Sequence, residues 1–212
     1  MEIFQIIKRN DVKSGKNGKI TIVGGGLSGP VMAMYLSEKG YRVDIYERRP
    51  DMRKTNISAG RSINLAVSKR GITALEEIGV FHKISSKLIP MYGRIIHDID
   101  GSTRFLPYGR PDQYINSVSR SELNILLMTE AEKTDRIRIL FQHSCSGMDL
   151  ESGTVFITNE VNGDQVTLQG TPVIAADGSG SAVRESMIES GHISGSFDPL
   201  GHSYKELSIP PD

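Results

Sequence analysis

Lys19-Ile20-Thr21-Ile22-Val23 runs directly into Gly24-Gly25-Gly26-Leu27-Ser28-Gly29, and no other stretch narrows the fold as much. A short β-branched run that stops at glycines reads as a buried strand. The residues after Gly29 follow a helical pattern, with Val31, Met34 and Tyr35 on one face and Gly40 placed to end the helix. Pro30 is tolerated in the first helical turn, where its missing N–H has no partner to lose. Tyr41, Val43 and Ile45 then alternate with Arg42 and Asp44, which predicts a second strand ending at Glu47. Strand, glycine turn, helix and strand together make a βαβ unit of about thirty residues.

Each part of that unit has a physical task. Gly24 allows the tight turn, Gly26 lets the backbone approach a pyrophosphate, and Gly29 lets helix and strand pack closely. The helix N-terminus attracts the phosphates. Glu47, at the end of the second strand, can accept hydrogen bonds from ribose hydroxyls. The unit therefore predicts a dinucleotide site. Glu47 suits the adenosine ribose of NAD or FAD equally, while Arg48 and Arg49 would suit the 2′-phosphate of NADP or a plain solvated surface. A Walker P-loop is excluded, because Pro30 and Val31 stand where Lys and Ser/Thr are needed. A serine-hydrolase elbow is excluded because Pro30 replaces its closing glycine.

Composition removes other classes. With 212 residues, 38% of them hydrophobic, the chain can bury a core in one large domain or two small ones. Twenty-five basic residues balance 25 acidic ones, which argues against the basic footprint of a general nucleic-acid binder. The single cysteine, Cys145, makes no internal disulfide. No run approaches the roughly 20 apolar residues of a membrane span. His82, His97, His143, His192 and His202 show no metal-ligand spacing and read as structural. Residues 1–18 read as a disordered or partly helical leader, without the apolar centre of a secretory signal.

After Glu47 the simple alternation of strand and helix stops. Ser68 precedes a short helix with Ile72, Leu75 and Ile78, closed by Gly79. Residues 92–118 read as strands, with a turn at Asp100-Gly101. Ser119-Arg120-Ser121-Glu122 is a capping box opening a helix with Leu123, Leu126 and Leu127. Ile137–Phe141 is another strand, and Thr154–Thr158 with Gln165–Leu168 predicts a hairpin across Asn162-Gly163. Val173-Ile174-Ala175-Ala176 predicts a buried strand ending at Asp177-Gly178, followed by a helix with Val183 and Arg184.

The glycine motif with Glu47, then Ser119-Arg120, then Asp177-Gly178 with Val183-Arg184 resembles the flavin-dependent aromatic hydroxylases. Gly60-Arg61-Ser62-Ile63-Asn64-Leu65-Ala66, Ile89-Pro90-Met91, Pro107-Tyr108-Gly109 and the run Tyr114-Ile115 to Ser117-Val118-Ser119-Arg120 are similar to the kynurenine 3-monooxygenase family within them. The resemblance spans roughly residues 19–211. It implies an α/β fold of the p-hydroxybenzoate-hydroxylase type: a Rossmann-like FAD-binding domain (19–91 and 119–188) interleaved with strands of a β-sheet substrate domain (92–118 and 189–212), here in truncated form.

The same resemblance implies FAD as cofactor and NADPH as reductant. O2 is the oxygen source, and L-kynurenine is hydroxylated ortho to its ring amine. The flavin carries the chemistry, so no catalytic side chain is implied. Arg94 and Tyr108 would hold the substrate carboxylate. Gly24, Gly26, Ser28, Gly29, Tyr46, Glu47, Arg48, Arg49, Ala66, Arg120, Asp177 and the backbone of Cys145 would contact FAD. The family also implies the mitochondrial outer membrane, but no anchor is read in this sequence and a cytosolic fragment is equally expected. Two other readings stay open: a non-catalytic flavin-binding fragment, and an NAD(P)-linked Rossmann oxidoreductase.

Overall fold

The computed structural model describes residues 18–54, 64–196, 198, 199 and 201. The expected leader through Lys16 and Asn17, the Gly60–Ile63 part of the family heptad, His202 and residues 202–212 lie outside the described residues. In chain order the elements are β1 (Lys19–Val23), α1 (Ser28–Glu38), β2 (Arg42–Glu47), β3 (Asn64–Val67), α2 (Lys69–Glu77), α3 (Phe81–Ile84), β4 (Ile89–Met91), β5 (Gly93–His97) and β6 (Thr103–Pro107). They continue with β7 (Ile115–Ser119), α4 (Arg120–Ala131), β8 (Ile137–Phe141), β9 (His143–Asp149), β10 (Thr154–Asn159), β11 (Gln165–Leu168), β12 (Val173–Ala175) and α5 (Ala182–Glu189).

Two compact units divide the chain, one from residues 1–58 and 127–212 and the other from 59–126. The first holds a parallel sheet in the order β12-β1-β2-β8. Ile20, Ile22, Val43, Ile45, Ile137 and Ile139 alternate onto one face of it and are buried, and α1 packs across β1, β2 and β8. The other face presents Val23 and Tyr46, which join Val155, Ile157, Val183 and Met187 in one core cluster. That cluster draws on β10 of the antiparallel sheet β11-β10-β9 and on α5.

The predicted second strand forms as β2 and ends at Glu47, and it is buried on both faces, with Val43 to Glu47 all inside. Asp44 is tolerated there because Arg138 grips it with two bonds, 2.7 and 3.1 Å, and Lys19 pairs with it at 2.8 Å. The helix expectation holds with a rotated face: α1 buries Gly29, Pro30, Ala33 and Met34, leaving Val31 and Tyr35 half-exposed. Gly40 ends it at φ 92°, donating to Ser37 O while Tyr41 N–H donates to Leu36 O. The strand expected to be buried, β12, is half-exposed because it forms the sheet edge. The predicted hairpin forms as β10 and β11, with Gly163 at φ 77°.

The second unit contains the antiparallel sheet β3-β7-β4, the two-stranded ribbon β5-β6 and the helices α2 and α3. The ribbon turns at Asp98–Ser102, where Gly101 takes φ 86°. At the start of α4, Ser119 Oγ accepts from Glu122 N–H at 3.4 Å, the expected half of the capping box. No helix among the described residues is long and apolar enough to cross a membrane.

Candidate functional site

The chain crosses between β1 and β2 through α1 and returns on the other side of β1 as β12, so a crevice opens beyond the carboxyl ends of these strands. Gly24 lies at its floor with φ 103°. A Cβ there would lie 2.8 Å from Asp177 Cα and 2.6 Å from the Ala176 carbonyl carbon, so the turn requires glycine twice over. A Cβ on Gly29 would collide with the Gly24 carbonyl oxygen but make an ordinary 3.6 Å contact with Ile22 Cγ2. The close approach that excludes a side chain at Gly29 is therefore to the turn itself more than to the strand. Gly26 is different, because a Cβ built on it meets nothing within 4 Å. Its missing side chain leaves open space.

Beside that opening, α1 begins with neither a capping side chain nor an acidic residue in its first turn, which suits an incoming anion. Ser28 is its first residue, half-exposed. Glu47 ends β2 and closes the other side. Its Oε2 accepts from Gly25 N–H at 2.7 Å, and its Oε1 accepts from the Arg49 N–H and Nε–H, both at 2.8 Å. Burial alone would raise the Glu47 pKa, yet the Arg49 guanidinium and the two backbone donors outweigh it and hold the carboxyl below its ordinary 4.5. Arg48 is exposed, and Arg49 is committed to Glu47.

The remaining expected cofactor residues divide by unit. Tyr46 offers the crevice its carbonyl oxygen, which accepts from Gly24 N–H at 2.8 Å, while its ring is core and meets His143 edge-on at 6.2 Å. Asp177 Oδ2 accepts from Ala182 N–H at 3.0 Å at the start of α5, which Ser181 caps through Arg184 N–H, and Gly178 takes φ 82°. Cys145 is half-buried on β9 against the core, its Sγ 3.5 Å from Gly147 O, and burial pushes its thiol pKa up. Ala66 on β3 and Arg120 at the start of α4 belong to the second unit, where both are exposed.

Also in the second unit, the ribbon pairs Arg94 with Leu106, and Tyr108 N–H donates to Tyr92 O at 2.9 Å. Directly opposed residues share a face and every second residue returns to it, so Tyr92, Arg94, Leu106 and Tyr108 stand on one side. Tyr108 lines an open depression of roughly 410 Å³ with Lys69, Asp112, Gln113, Tyr114 and Ile115, and Arg94 is not among its lining residues. The Tyr92 and Tyr114 rings are 5.4 Å apart. Among the described residues no cluster could hold a metal ion.

Residues 18–198 match the family model of the FAD binding domain. The chain belongs to this FAD-binding family. It is 40% identical over 200 residues to kynurenine 3-monooxygenase of Myxococcus xanthus, covering 94% of this chain and 43% of that protein. It is 38% identical over 193 residues to kynurenine 3-monooxygenase of Anopheles gambiae, covering 91% and 40%. The chain thus spans about two-fifths of the length of these curated relatives. Among solved structures it is similar to the flavin-dependent monooxygenase PieE in complex with FAD and substrate. The TM-score is 0.68 at 19% identity, over 81% of this chain and 32% of that one. The tetrameric form of 2-methyl-3-hydroxypyridine-5-carboxylic acid oxygenase superposes with a TM-score of 0.63 at 20% identity, over 82% and 43%. The fold is that of the flavin monooxygenases, as expected.

Sequence reasoning missed two contacts beside this crevice. One is the engagement of Glu47 by Arg49. The other is Gln142, whose φ of 59° is left-handed for a non-glycine residue and which donates its N–H to Arg49 O at 3.2 Å. Nothing in Phe141-Gln142-His143 signals that conformation.

The depressed Glu47 pKa has a measurable sign. The folded value lies below the unfolded one, so the carboxylate stabilises the fold above pH 4.5 and this contribution is lost as pH falls through the folded value. Asp44 behaves alike: burial raises its pKa, but Arg138 and Lys19 lower it further. Urea midpoints should be nearly flat from about pH 5 to 7 and fall steeply below about 4.5, and the fall should be shallower in E47Q.

Proposed function

We propose that this protein is the FAD-holding portion of a monooxygenase that hydroxylates L-kynurenine to 3-hydroxykynurenine, with NADPH as reductant and O2 as oxygen source. The observation that carries the cofactor part is the glycine turn: backbone closes on Gly24 and Gly29, space opens at Gly26, and the buried Glu47 carboxylate faces Gly25. Gly26 and the N-terminus of α1 would receive the pyrophosphate, and Glu47 the adenosine ribose. When bound, FAD supplies the redox chemistry that NADPH reduction and O2 make available.

The substrate part is supported by the names of the relatives and by the ribbon. Arg94 offers a carboxylate a bidentate fork, and Tyr108 on the same face adds one phenolic donor. Ala66 and Arg120 are assigned to FAD by resemblance to the family, as are Ser28, Tyr46, Arg48, Cys145 and Asp177. The functional division into an FAD-binding domain (19–91 and 119–188) and a partial substrate domain (92–118 and 189–212) belongs to the same proposal. So does residence at the mitochondrial outer membrane, which cell fractionation tests against a cytosolic location.

A fluorescence titration of FAD into the purified chain, with NADPH as competitor, tests the cofactor reading. Saturable quenching that NADPH does not displace is the expected result. Displacement by NADPH at equal concentration would instead favour a nicotinamide-dependent Rossmann oxidoreductase. Saturable FAD binding without kynurenine-dependent NADPH oxidation would make the chain a flavin-binding fragment.

A further inference from the structure

Beyond Glu47 the chain leaves β2 through Arg48-Arg49-Pro50-Asp51-Met52-Arg53, and Arg53 ties this exit down. Its guanidinium forks onto Asp51, with Nε donating to Oδ1 and Nη2 to Oδ2, both at 2.8 Å. Nη1 pairs with Glu132 Oε2 at 2.6 Å, one residue past the end of α4. The guanidinium carbon lies 5.4 Å from the centre of the Phe141 ring, at the end of β8. The Asp51 side chain is 8% exposed and that of Arg53 21%, so solvent screens the pair little. Arg53 accordingly holds the Asp51 carboxyl below its ordinary 3.8.

The partners of Arg53 adjoin those of the glycine turn. Phe141 stands opposite Glu47 in the parallel register of β2 and β8. The next residue, Gln142, donates its N–H to Arg49 O at 3.2 Å. The exit from β2 is thus fastened at two consecutive positions, by its backbone at Gln142 and by Arg53 at Phe141. Arg49 N–H in turn donates to Glu47 Oε1, and Glu47 Oε2 accepts from Gly25 N–H. Arginine suits this place because it combines a planar fork, a further donor and a face for the aromatic ring, whereas lysine brings a point charge.

We propose that Arg53 is a positioning residue for nucleotide binding: by joining Asp51, Glu132 and Phe141 it sets where the β2 exit presents the Glu47 carboxylate. The inference rests on the FAD reading, in which Glu47 meets the adenosine ribose, and deepens it. Arg53 acts on the orientation of Glu47 and leaves the ribose contact to that carboxylate. Directed hydrogen bonds need such support, since a group displaced by about 1 Å loses much of its bond.

The test uses the full chain, R53M, R53K and the control I137V. Ile137 is buried at the opposite, amino end of β8, facing Val43, so I137V trims the core away from the β2 exit. FAD is titrated by flavin fluorescence and ADP by calorimetry, each at urea-free conditions where every variant is folded. R53M should bind both ligands about tenfold more weakly than the unsubstituted chain. R53K keeps the charge beside Asp51 but not the fork, so it should fold even if R53M does not and should show the same loss. I137V should bind both unchanged. Placing R53M or R53K in an E47Q background should shrink the loss to about threefold or less, because the carboxylate through which Arg53 acts is then absent.

Unchanged affinity in both Arg53 variants, with the unsubstituted chain binding normally, overturns the positioning role and leaves the FAD reading standing. An equal loss in I137V overturns it too, since the effect would then be general loosening. So does an undiminished loss in the E47Q background, which would show that Arg53 acts independently of Glu47. Failure of the unsubstituted chain to bind FAD and ADP overturns the FAD reading and the positioning role together.

Discussion

Replacing Gly29 with alanine should destabilise this protein by at least about 3 kcal/mol and abolish saturable FAD binding. The added methyl would collide with the Gly24 carbonyl oxygen, well inside the ~3.3 Å of an ordinary C···O contact. Neither group can retreat easily. Gly24 is held by its N–H to Tyr46 O at 2.8 Å and by the Ala176–Asp177 backbone behind it, and Gly29 is buried in the first turn of α1. Urea denaturation measures the first effect and flavin fluorescence the second. Gly26→Ala is the informative companion. Its methyl meets nothing within 4 Å, so the unfolding free energy from urea denaturation should stay within ~0.5 kcal/mol of the unsubstituted chain. FAD affinity should nevertheless fall roughly tenfold or more, because the methyl fills the space a pyrophosphate would enter. Unchanged FAD affinity in that variant would remove Gly26 from the site.

Glu47→Ala carries the second large effect, an affinity loss for FAD on the order of 100-fold together with about 2 kcal/mol of stability. The carboxylate accepts two backbone N–H groups and a guanidinium while almost fully buried. Its removal leaves Gly25 N–H without that acceptor at the turn where the nucleotide must dock. Glu47→Gln keeps one acceptor oxygen and should lose less of both. Titration of ADP alone separates the two contributions, since ADP carries the ribose and pyrophosphate without the flavin. If Glu47→Ala weakened FAD but left ADP unaffected, the adenosine assignment of Glu47 would be wrong.

Local rules were enough to read the strands, helix and turns of the βαβ unit, because those elements depend on contacts a few residues apart. Gly40 and Gly79 end their helices at positive φ, as their positions after the apolar periodicity predict. The hairpin at Asn162-Gly163 and the ribbon turn at Gly101 follow from turn chemistry in the same way. β9 escaped notice because His143-Ser144-Cys145-Ser146-Gly147-Met148-Asp149 has neither β-branched enrichment nor clean alternation. Pairing with β10, including a register shift between Phe156 and Ile157, makes it a strand. β12 reads as buried by its composition, but strand order places it at the edge, and order is not a local property.

The candidate site divides along the same line. Arg94 and Tyr108 were singled out by resemblance to the family, whereas by itself the sequence determined that a glycine turn lies between a strand and a helix and that an acid ends the next strand. These depend on periodicity and spacing, which the chain carries locally. The tertiary structure alone decided that the Asp177 backbone abuts Gly24, that Arg49 covers Glu47, and that Gln142 pins Arg49 in place. Gln142 stands 93 positions after Arg49, and Asp177 stands 153 after Gly24. The positions of both partners are set by parallel pairing of β2 with β8 and of β1 with β12. Such pairing closes long loops for burial of a shared core, and nothing within the span of one element encodes it.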